Sequence, residues 1–315
     1  MKAAIVTDFK QAPVFQKVAL PEPNNDEVKL RVLAASVNQR VLMQANGSHY
    51  TSDQQLPLIP GVDGAGETAD GQKVYFVATH PGFGTLAEET LVDHRAILPL
   101  ADDVDPAVVA ATVNPALSSY MAIKGRLGVD AIQGKKVMIL GATGNAGKLA
   151  VTISRHFGAQ TIIAIGRNEQ ALAETITLGA DQTINLQASD LKAQLADISD
   201  VDVVLDYLWG DVTKQVMMGI ITQRTDHAQA LKWVEIGSLA GGDFALPSAA
   251  LRSTNLTLLG SGQGSLSMLT MLKEMPGLLK LISNKILQVP VTRLTLSTVH
   301  ENWPSKTTNR IVFIP

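Results

Sequence analysis

From Met1 to about Pro99 the apolar positions come in short alternating runs: Ala3 and Ile5, then Val28, Leu30 and Val32, then Val74 and Phe76. Leu91-Val92 follows, and Pro21, Pro23, Pro57, Pro60, Pro81 and many glycines punctuate the series. Strand-period alternation between turn residues predicts a mostly antiparallel sheet or partial barrel. From about Asn114 to Gly260 the rhythm changes to an apolar run followed by an amphipathic one, repeated. Lys136 to Leu140 precedes a helical stretch from Asn145 to Phe157, and Thr161 to Ile165 precedes Glu169 to Leu178. Val201 to Leu205 precedes Val212 to Ile221, and Leu231 to Ile236 and Leu256 to Leu259 end the series. Apolar strands alternating with helices are the pattern of a doubly wound parallel sheet. The tail predicts a helix over Ser265 to Ile282, broken at Pro276-Gly277, then strands over Val291 to Leu296 and Arg310 to Ile314. Those last strands match the opening section, so the first domain reads as discontinuous, with the parallel-sheet domain inserted in it.

The 315 residues suit two domains of roughly 150 residues each. A chain of this length buries about three quarters of its unfolded surface and needs no covalent staples. Cysteine is absent, which removes disulfides, thiolate nucleophiles and cysteine-ligated zinc. With 26 Lys and Arg against 29 Asp and Glu, the net charge of −3 offers no cationic excess to displace counterions from nucleic-acid phosphates. No apolar run approaches the roughly 18 residues of a membrane span. Asp8 interrupts the N-terminal apolar residues before a signal-peptide core can form. The expectation is a cytoplasmic protein with neither a membrane nor a nucleic-acid partner.

Chemistry concentrates at Gly141-Ala142-Thr143-Gly144-Asn145-Ala146-Gly147, directly after a predicted strand and at the start of a predicted helix. Glycines there tighten the turn, admit backbone N–H groups to a pyrophosphate and let the helix pack close, while the helix N-terminus favours negative charge. The spacing is G-x-x-G-x-x-G rather than G-x-G-x-x-G. A P-loop is the competitor suggested by Gly147-Lys148, but Ala142 stands where it needs glycine and Leu149 where it needs Ser or Thr. The second strand ends at Ile165-Gly166-Arg167-Asn168, with no carboxylate before Glu169. NAD-binding domains place an acid there for the ribose 2′-OH. Gly166 followed by Arg167 suits a 2′-phosphate instead, and so NADP(H); the competing reading of Arg167 is a solvated loop residue. The six histidines, His49, His80, His94, His156, His227 and His300, include no pair at the spacing of a zinc helix motif. G-x-S-x-G is absent, so a hydrolase elbow has no support.

Six stretches carry a resemblance that covers nearly the whole chain. They are Met1-Lys2-Ala3, Ala34-Ala35-Ser36-Val37-Asn38, Pro60-Gly61-Val62-Asp63-Gly64-Ala65-Gly66, Gly84 to Val92, the glycine loop with Gly179-Ala180-Asp181, and Val201 to Asp206. Together they resemble the zinc-independent medium-chain dehydrogenase/reductase superfamily, of the NADPH:quinone oxidoreductase type. The resemblance implies an α/β chain: a GroES-like, mostly β substrate domain over 1–115 and 262–315, and a Rossmann doubly wound NADP(H)-binding domain over 116–261. It also implies an active site in the cleft between them and a homodimer formed through the edge strand near Leu256 to Leu259. Zinc-dependent relatives have Gly-His-Glu where this chain has Gly61-Val62-Asp63, and the ligand cysteine expected near Val37-Asn38 is replaced.

Loss of that Lewis acid constrains the reaction. Hydride transfer to an isolated carbonyl needs a group to stabilise the oxyanion. A quinone or α,β-unsaturated carbonyl spreads the incoming charge itself and needs orientation, hydrogen bonds and a proton. By position in the family, Asn38 donates an amide hydrogen bond to the substrate, or else caps a helix. Ser118 lies against the nicotinamide, with helix capping as the competing role. Gly237-Ser238 matches the turn beside the nicotinamide, and Tyr207-Leu208 the neighbourhood of the adenosine or its ribose. Tyr50 resembles the tyrosine that helps protonate the product in related 2-enoyl thioester reductases, or else packs as a loop residue. A phenol of pKa about 10 needs help to act as an acid at neutral pH. The leading expectation is an NADPH-dependent quinone or enone reductase; the alternatives are a 2-enoyl thioester reductase and a non-catalytic NADP(H)-binding redox sensor.

Overall fold

The computed structural model describes residues 1–52, 54–303 and 309–315. They form two compact units, Met1–Asn114 with Pro276–Pro315, and Pro115–Met275.

The first unit opens with β1 (Lys2–Ile5), β2 (Val14–Lys17), β3 (Glu27–Ser36) and α1 (Gln39–Ala45). It continues through β4 (Asp63–Glu67), β5 (Lys73–Val77), β6 (Glu89–Asp93), β7 (Ile97–Pro99) and most of α2 (Pro106–Met121). The second unit holds β8 (Lys136–Leu140), α3 (Asn145–His156), β9 (Thr161–Gly166), α4 (Glu169–Thr177), β10 (Gln182–Asn185) and α5 (Leu191–Asp197). Then come β11 (Val203–Asp206), α6 (Gly210–Ile221), β12 (Leu231–Glu235), α7 (Ser248–Ser253) and β13 (Leu256–Gly260). Helix α8 (Met268–Ser283) leads back to the first unit, which ends with β14 (Val291–Thr295) and β15 (Arg310–Ile314).

In the first unit β1 and β2 form a small antiparallel ribbon, while the main sheet runs β14-β15-β3-β4-β5-β7 with β6 also paired to β3. All of its pairings are antiparallel except β14 with β15. Residues of these strands, among them Leu30, Val74, Phe76, Val92 and Phe313, are fully or almost fully buried and form one core. The alternation read from the sequence survives in the first half of β3, whereas β4, β5, β6 and β15 are buried at three or more consecutive positions and so are covered on both faces. The second unit is a six-stranded, wholly parallel sheet in the order β10-β9-β8-β11-β12-β13, which is the Rossmann order. Its central strands are apolar on both faces and bury Met138, Leu140, Ile163, Val204 and Trp233 against the flanking helices.

The tail differs from expectation at one point. Helix α8 continues through Pro276 instead of breaking there. An interior proline costs about 3 kcal/mol. Met275, Leu278, Leu279 and Ile282 are buried around it, and that packing outweighs the lost hydrogen bond.

Candidate cofactor and substrate sites

The parallel sheet reverses direction between β8 and β11: the chain leaves β8 toward β9 and leaves β11 toward β12. In open α/β sheets the crevice beyond the carboxyl ends of such a strand pair is where ligands bind. Leu140 and Asp206 stand opposite each other as the last residues of these two strands, so the glycine loop and Tyr207-Leu208 emerge side by side. The N–H groups of Gly141 and Ala142 both donate to the carbonyl of Ile165, each at 2.9 Å, which pins the loop against β9. Gly141 has φ +93°, a conformation that an L side chain rarely adopts. Gly147 lets α3 lie directly on the loop, since a β-carbon there would meet Gly141 O at 2.3 Å and Ala142 Cα at 2.6 Å. Gly144 is the N-cap of α3 and brings no side chain to its amides. Asn145 and Ala146 follow it half-exposed, so the positive end of a 12-residue helix is uncapped by protein.

Asp206 organises the other wall. It is fully buried and accepts four hydrogen bonds: Leu208 N–H at 2.8 Å, Trp209 N–H at 3.1 Å, Thr213 Oγ1 at 2.6 Å and Trp233 Nε1 at 2.9 Å. These bonds hold the turn in which Trp209 takes φ +54°. The turn sets Tyr207 and Leu208 against Gly141, where a β-carbon would come within 3.2 Å of either side chain. Burial pushes the Tyr207 phenol up to about 12, so it stays protonated. Its Oη is 3.4 Å from Ser118 Oγ, which itself donates to the Pro115 carbonyl at 2.7 Å. Ser118 thus lies in the last turn of α2, which the chain continues as a π-helical turn over Ala122–Leu127. Gly237 packs against Tyr207, and its N–H donates to the Asp206 carbonyl; Ser238 beside it is exposed.

At the end of β9 a β-carbon on Gly166 would stand 2.5 Å from Thr143 Cγ2, so this glycine makes room for the loop threonine. Arg167 is exposed, and Asn168 caps α4 by accepting from Ala171 N–H at 2.9 Å. The structure therefore gathers Ser118, Gly141, Thr143, Gly144, Asn145, Ala146, Gly147, Gly166, Arg167, Tyr207, Leu208, Gly237 and Ser238 at the carboxyl ends of β8, β9, β11 and β12, with α2 beside them. Asp206 ends one of the six stretches that carry the resemblance, but only its partners reveal its part.

The residues assigned to the substrate lie in the first unit. Asn38 is the N-cap of α1, accepting Val41 N–H at 3.0 Å, and is 3% exposed. Its amide nitrogen is buried without a hydrogen-bond partner, so the cap uses only half of the side chain. Tyr50 is 71% exposed and stacks on His49 with ring centroids 4.5 Å apart. His49 and Thr51, but not Tyr50, line a cavity of about 410 Å³ that Arg40 and Gln44 of α1 also line. Asp63, at the start of β4, is 3% exposed and accepts the Tyr75 phenol at 3.0 Å. Burial pushes its carboxyl up to about 6, against the opposing pull of the Tyr75 hydrogen bond and the Arg40 and Arg310 charges.

A zinc-binding dehydrogenase family profile matches residues 146–284. The "Probable NADPH-dependent quinone reductase tdiC" of Emericella nidulans is 27% identical over 360 aligned positions that cover 100% of both chains. An NADPH-dependent alkenal/one oxidoreductase of Arabidopsis thaliana is 27% identical over 65% of this chain, which spans 57% of that protein. Among solved structures, the quinone oxidoreductase from Thermus thermophilus superposes with a TM-score of 0.82 over 100% of both chains at 24% identity. The fold and these relatives make the chain similar to the medium-chain dehydrogenase/reductases. Among these, the chain is similar to the quinone oxidoreductase-like proteins.

The profile's description mentions zinc, but the residues present do not fit that ion. Asp63 is the acidic group at the Gly61-Val62-Asp63 position; it is occupied by Tyr75 and faces two guanidinium charges, which disfavour a cation. The residues around the glycine loop do fit a dinucleotide. A β-carbon on Gly144 would meet nothing within 4 Å, and the uncapped helix end behind it suits a pyrophosphate.

Proposed function

We propose that the protein is an NADPH-dependent reductase that delivers hydride to a quinone or an α,β-unsaturated carbonyl. The observation that carries the reading is the uncapped N-terminus of α3 at the sheet's switch point, combined with Gly166-Arg167 and no acid at the end of β9. The activities named for the fungal and plant relatives support it.

The amides of Gly144, Asn145 and Ala146 bind the pyrophosphate, and Arg167 pairs with the 2′-phosphate. Tyr207 and Leu208 border the adenosine side, while Ser118, Gly237 and Ser238 border the nicotinamide. When bound, NADPH supplies the hydride. Asn38 donates from its unpartnered amide nitrogen to the substrate carbonyl, where charge builds up as the double bond is reduced. Tyr50, exposed and stacked on His49, is assigned to the protonation side, in exchange with solvent. A conjugated acceptor disperses the charge without a metal. We assign the protein to the cytoplasm; no helix of the described residues is long and apolar enough to cross a membrane. We also assign a homodimer joined along β13, a terminal strand of the parallel sheet on which Leu258 is exposed.

The test compares NADPH with NADH against a panel of quinones, short enals and enoyl thioesters. Steady NADPH oxidation with quinones or enals is the expected result. Turnover confined to thioesters assigns a thioester reductase instead, and tight NADPH binding without turnover across the panel assigns a redox sensor.

A further inference from the structure

We propose that Tyr207 is a positioning residue that fixes the Ser118 hydroxyl as a hydrogen-bond acceptor for the carboxamide N–H of a bound nicotinamide. Tyr207 spans two parts of the second unit. At its base, a β-carbon on Gly141 would come within 3.2 Å of Tyr207 Cβ, so the residue packs on the glycine loop. At its tip, the phenol oxygen lies 3.4 Å from Ser118 Oγ on α2. The residue as a whole is 6% exposed. It leaves β11 beside the loop and sends its hydroxyl to the side assigned to the nicotinamide.

Counting hydrogens gives the polarity of the pair. A serine hydroxyl has one hydrogen and two lone pairs. Ser118 Oγ donates its hydrogen to the Pro115 carbonyl at 2.7 Å, and a carbonyl only accepts. Ser119 Oγ donates in the same way to the Ala116 carbonyl at 3.3 Å. These two serines are the hydrogen-bond partners of the phenol, and both have spent their hydrogens, so the phenol is the donor. Burial keeps it protonated and so keeps that hydrogen in place. The Tyr207 hydrogen fills one lone pair of Ser118 Oγ and leaves the other for a ligand. Ser118 stays half-buried, as a group that meets a ligand must. The Tyr207 O–H also opposes rotation, because a Ser118 hydrogen turned toward it would face another hydrogen. Without it, the serine hydroxyl can swing away from Pro115 and donate to an oxygen instead. An acceptor held in this way selects a donor, which the NH₂ of a carboxamide offers and the methyl of an acetyl group does not. The inference rests on the placement of Ser118 beside the nicotinamide and is independent of which acceptor is reduced.

Calorimetry of the full chain with NADP⁺ and its 3-acetylpyridine analogue tests it. The analogue carries CH₃ in place of the carboxamide NH₂ and is otherwise the same dinucleotide. The expected result is about tenfold tighter binding of NADP⁺, the effect of leaving one acceptor unpaired. Ser118→Ala removes the acceptor and should bring the two affinities together. Tyr207→Phe keeps the buried ring and its packing on Gly141, and should bring them within about threefold of each other. A merely structural role for the phenol would weaken both dinucleotides by one factor and leave their ratio unchanged. Equal affinities in the unmodified protein overturn the proposal, as does a preference that survives either substitution. NADPH oxidation with quinones and enals is read separately. Turnover with an unchanged preference in Tyr207→Phe removes the positioning role and keeps the reductase; a preference lost in both variants, without turnover of any acceptor, does the reverse.

Discussion

A β-carbon on Gly147 would stand 2.3 Å from the carbonyl oxygen of Gly141, closer than such atoms approach without displacing one of the two backbones. Gly147→Ala should therefore push α3 off the loop and cost about 1–3 kcal/mol of stability, as overpacking does. Urea denaturation measures this. Gly144 is the control: its β-carbon meets nothing within 4 Å and its φ is −81°, so Gly144→Ala should leave stability nearly unchanged. Any loss of NADPH affinity in that variant then reports crowding of the ligand itself. Equal destabilisation by both substitutions would contradict the packing argument.

Arg167 is exposed at the end of β9, and on the proposed reading it serves a ligand and not the fold. Arg167→Ala should weaken NADPH binding by about 1–3 kcal/mol, the range of a charged hydrogen bond, while leaving NADH binding and thermal stability unchanged. Fluorescence titration with both dinucleotides separates the cases. Unchanged NADPH affinity would return Arg167 to the solvated-loop reading.

These two sites differ in how openly the sequence declares them. The glycine loop announces itself because one conformational demand, backbone packed on backbone, admits only glycine at Gly147. The central strands do so because burial on both faces forces an unbroken apolar run. Strand β10 escapes the same reading: Gln182 and Thr183 are exposed and only Ile184 is buried, since this strand forms the sheet's edge. Helix α8 escapes through Pro276, whose local cost is outweighed by tertiary packing. Asp206 is invisible because its role depends on Thr213 and Trp233, which lie 7 and 27 residues away. The pattern around Asn38 suggests two roles and the structure permits both at once, as the oxygen caps α1 while the nitrogen remains unpartnered.

Asp206→Ala would strip one acceptor from four donors at once, two of them backbone N–H groups in the Tyr207 to Trp209 turn. Breaking a buried charged network in this way costs about 3–5 kcal/mol. The expected outcome is a large drop in the denaturation midpoint, with altered emission from Trp233 and loss of NADPH binding as Tyr207 and Leu208 leave Gly141. A variant with unchanged midpoint and spectrum would show that the turn holds by other means.

Asp63 predicts a pH dependence of stability. Its carboxyl is raised from an ordinary 3.8 to about 6, because burial opposes its charge. The native state therefore binds this proton more tightly than the unfolded chain does. The contribution is fully present below about pH 4 and is lost as pH rises through about 6, a change of about 3 kcal/mol. Asp63→Asn keeps an acceptor for the Tyr75 phenol and should flatten the stability profile between pH 4 and 6. Superimposable profiles for the two proteins, by denaturant unfolding at each pH, would assign the slope to other groups.

Asn38 allows its two roles to be measured apart. Asn38→Asp keeps a side-chain oxygen for Val41 N–H, so the cap on α1 survives, but it replaces the buried amide nitrogen with an acceptor. Asn38→Ala removes both and should cost about 1 kcal/mol of stability for the lost cap. If the amide polarises the substrate carbonyl as the double bond is reduced, kcat should fall in both variants, by about 100-fold, as when an oxyanion donor is removed. The KM for NADPH should stay constant, because the amide does not serve the dinucleotide. Full kcat in Asn38→Asp, with only the stability loss in Asn38→Ala, would confine this residue to capping.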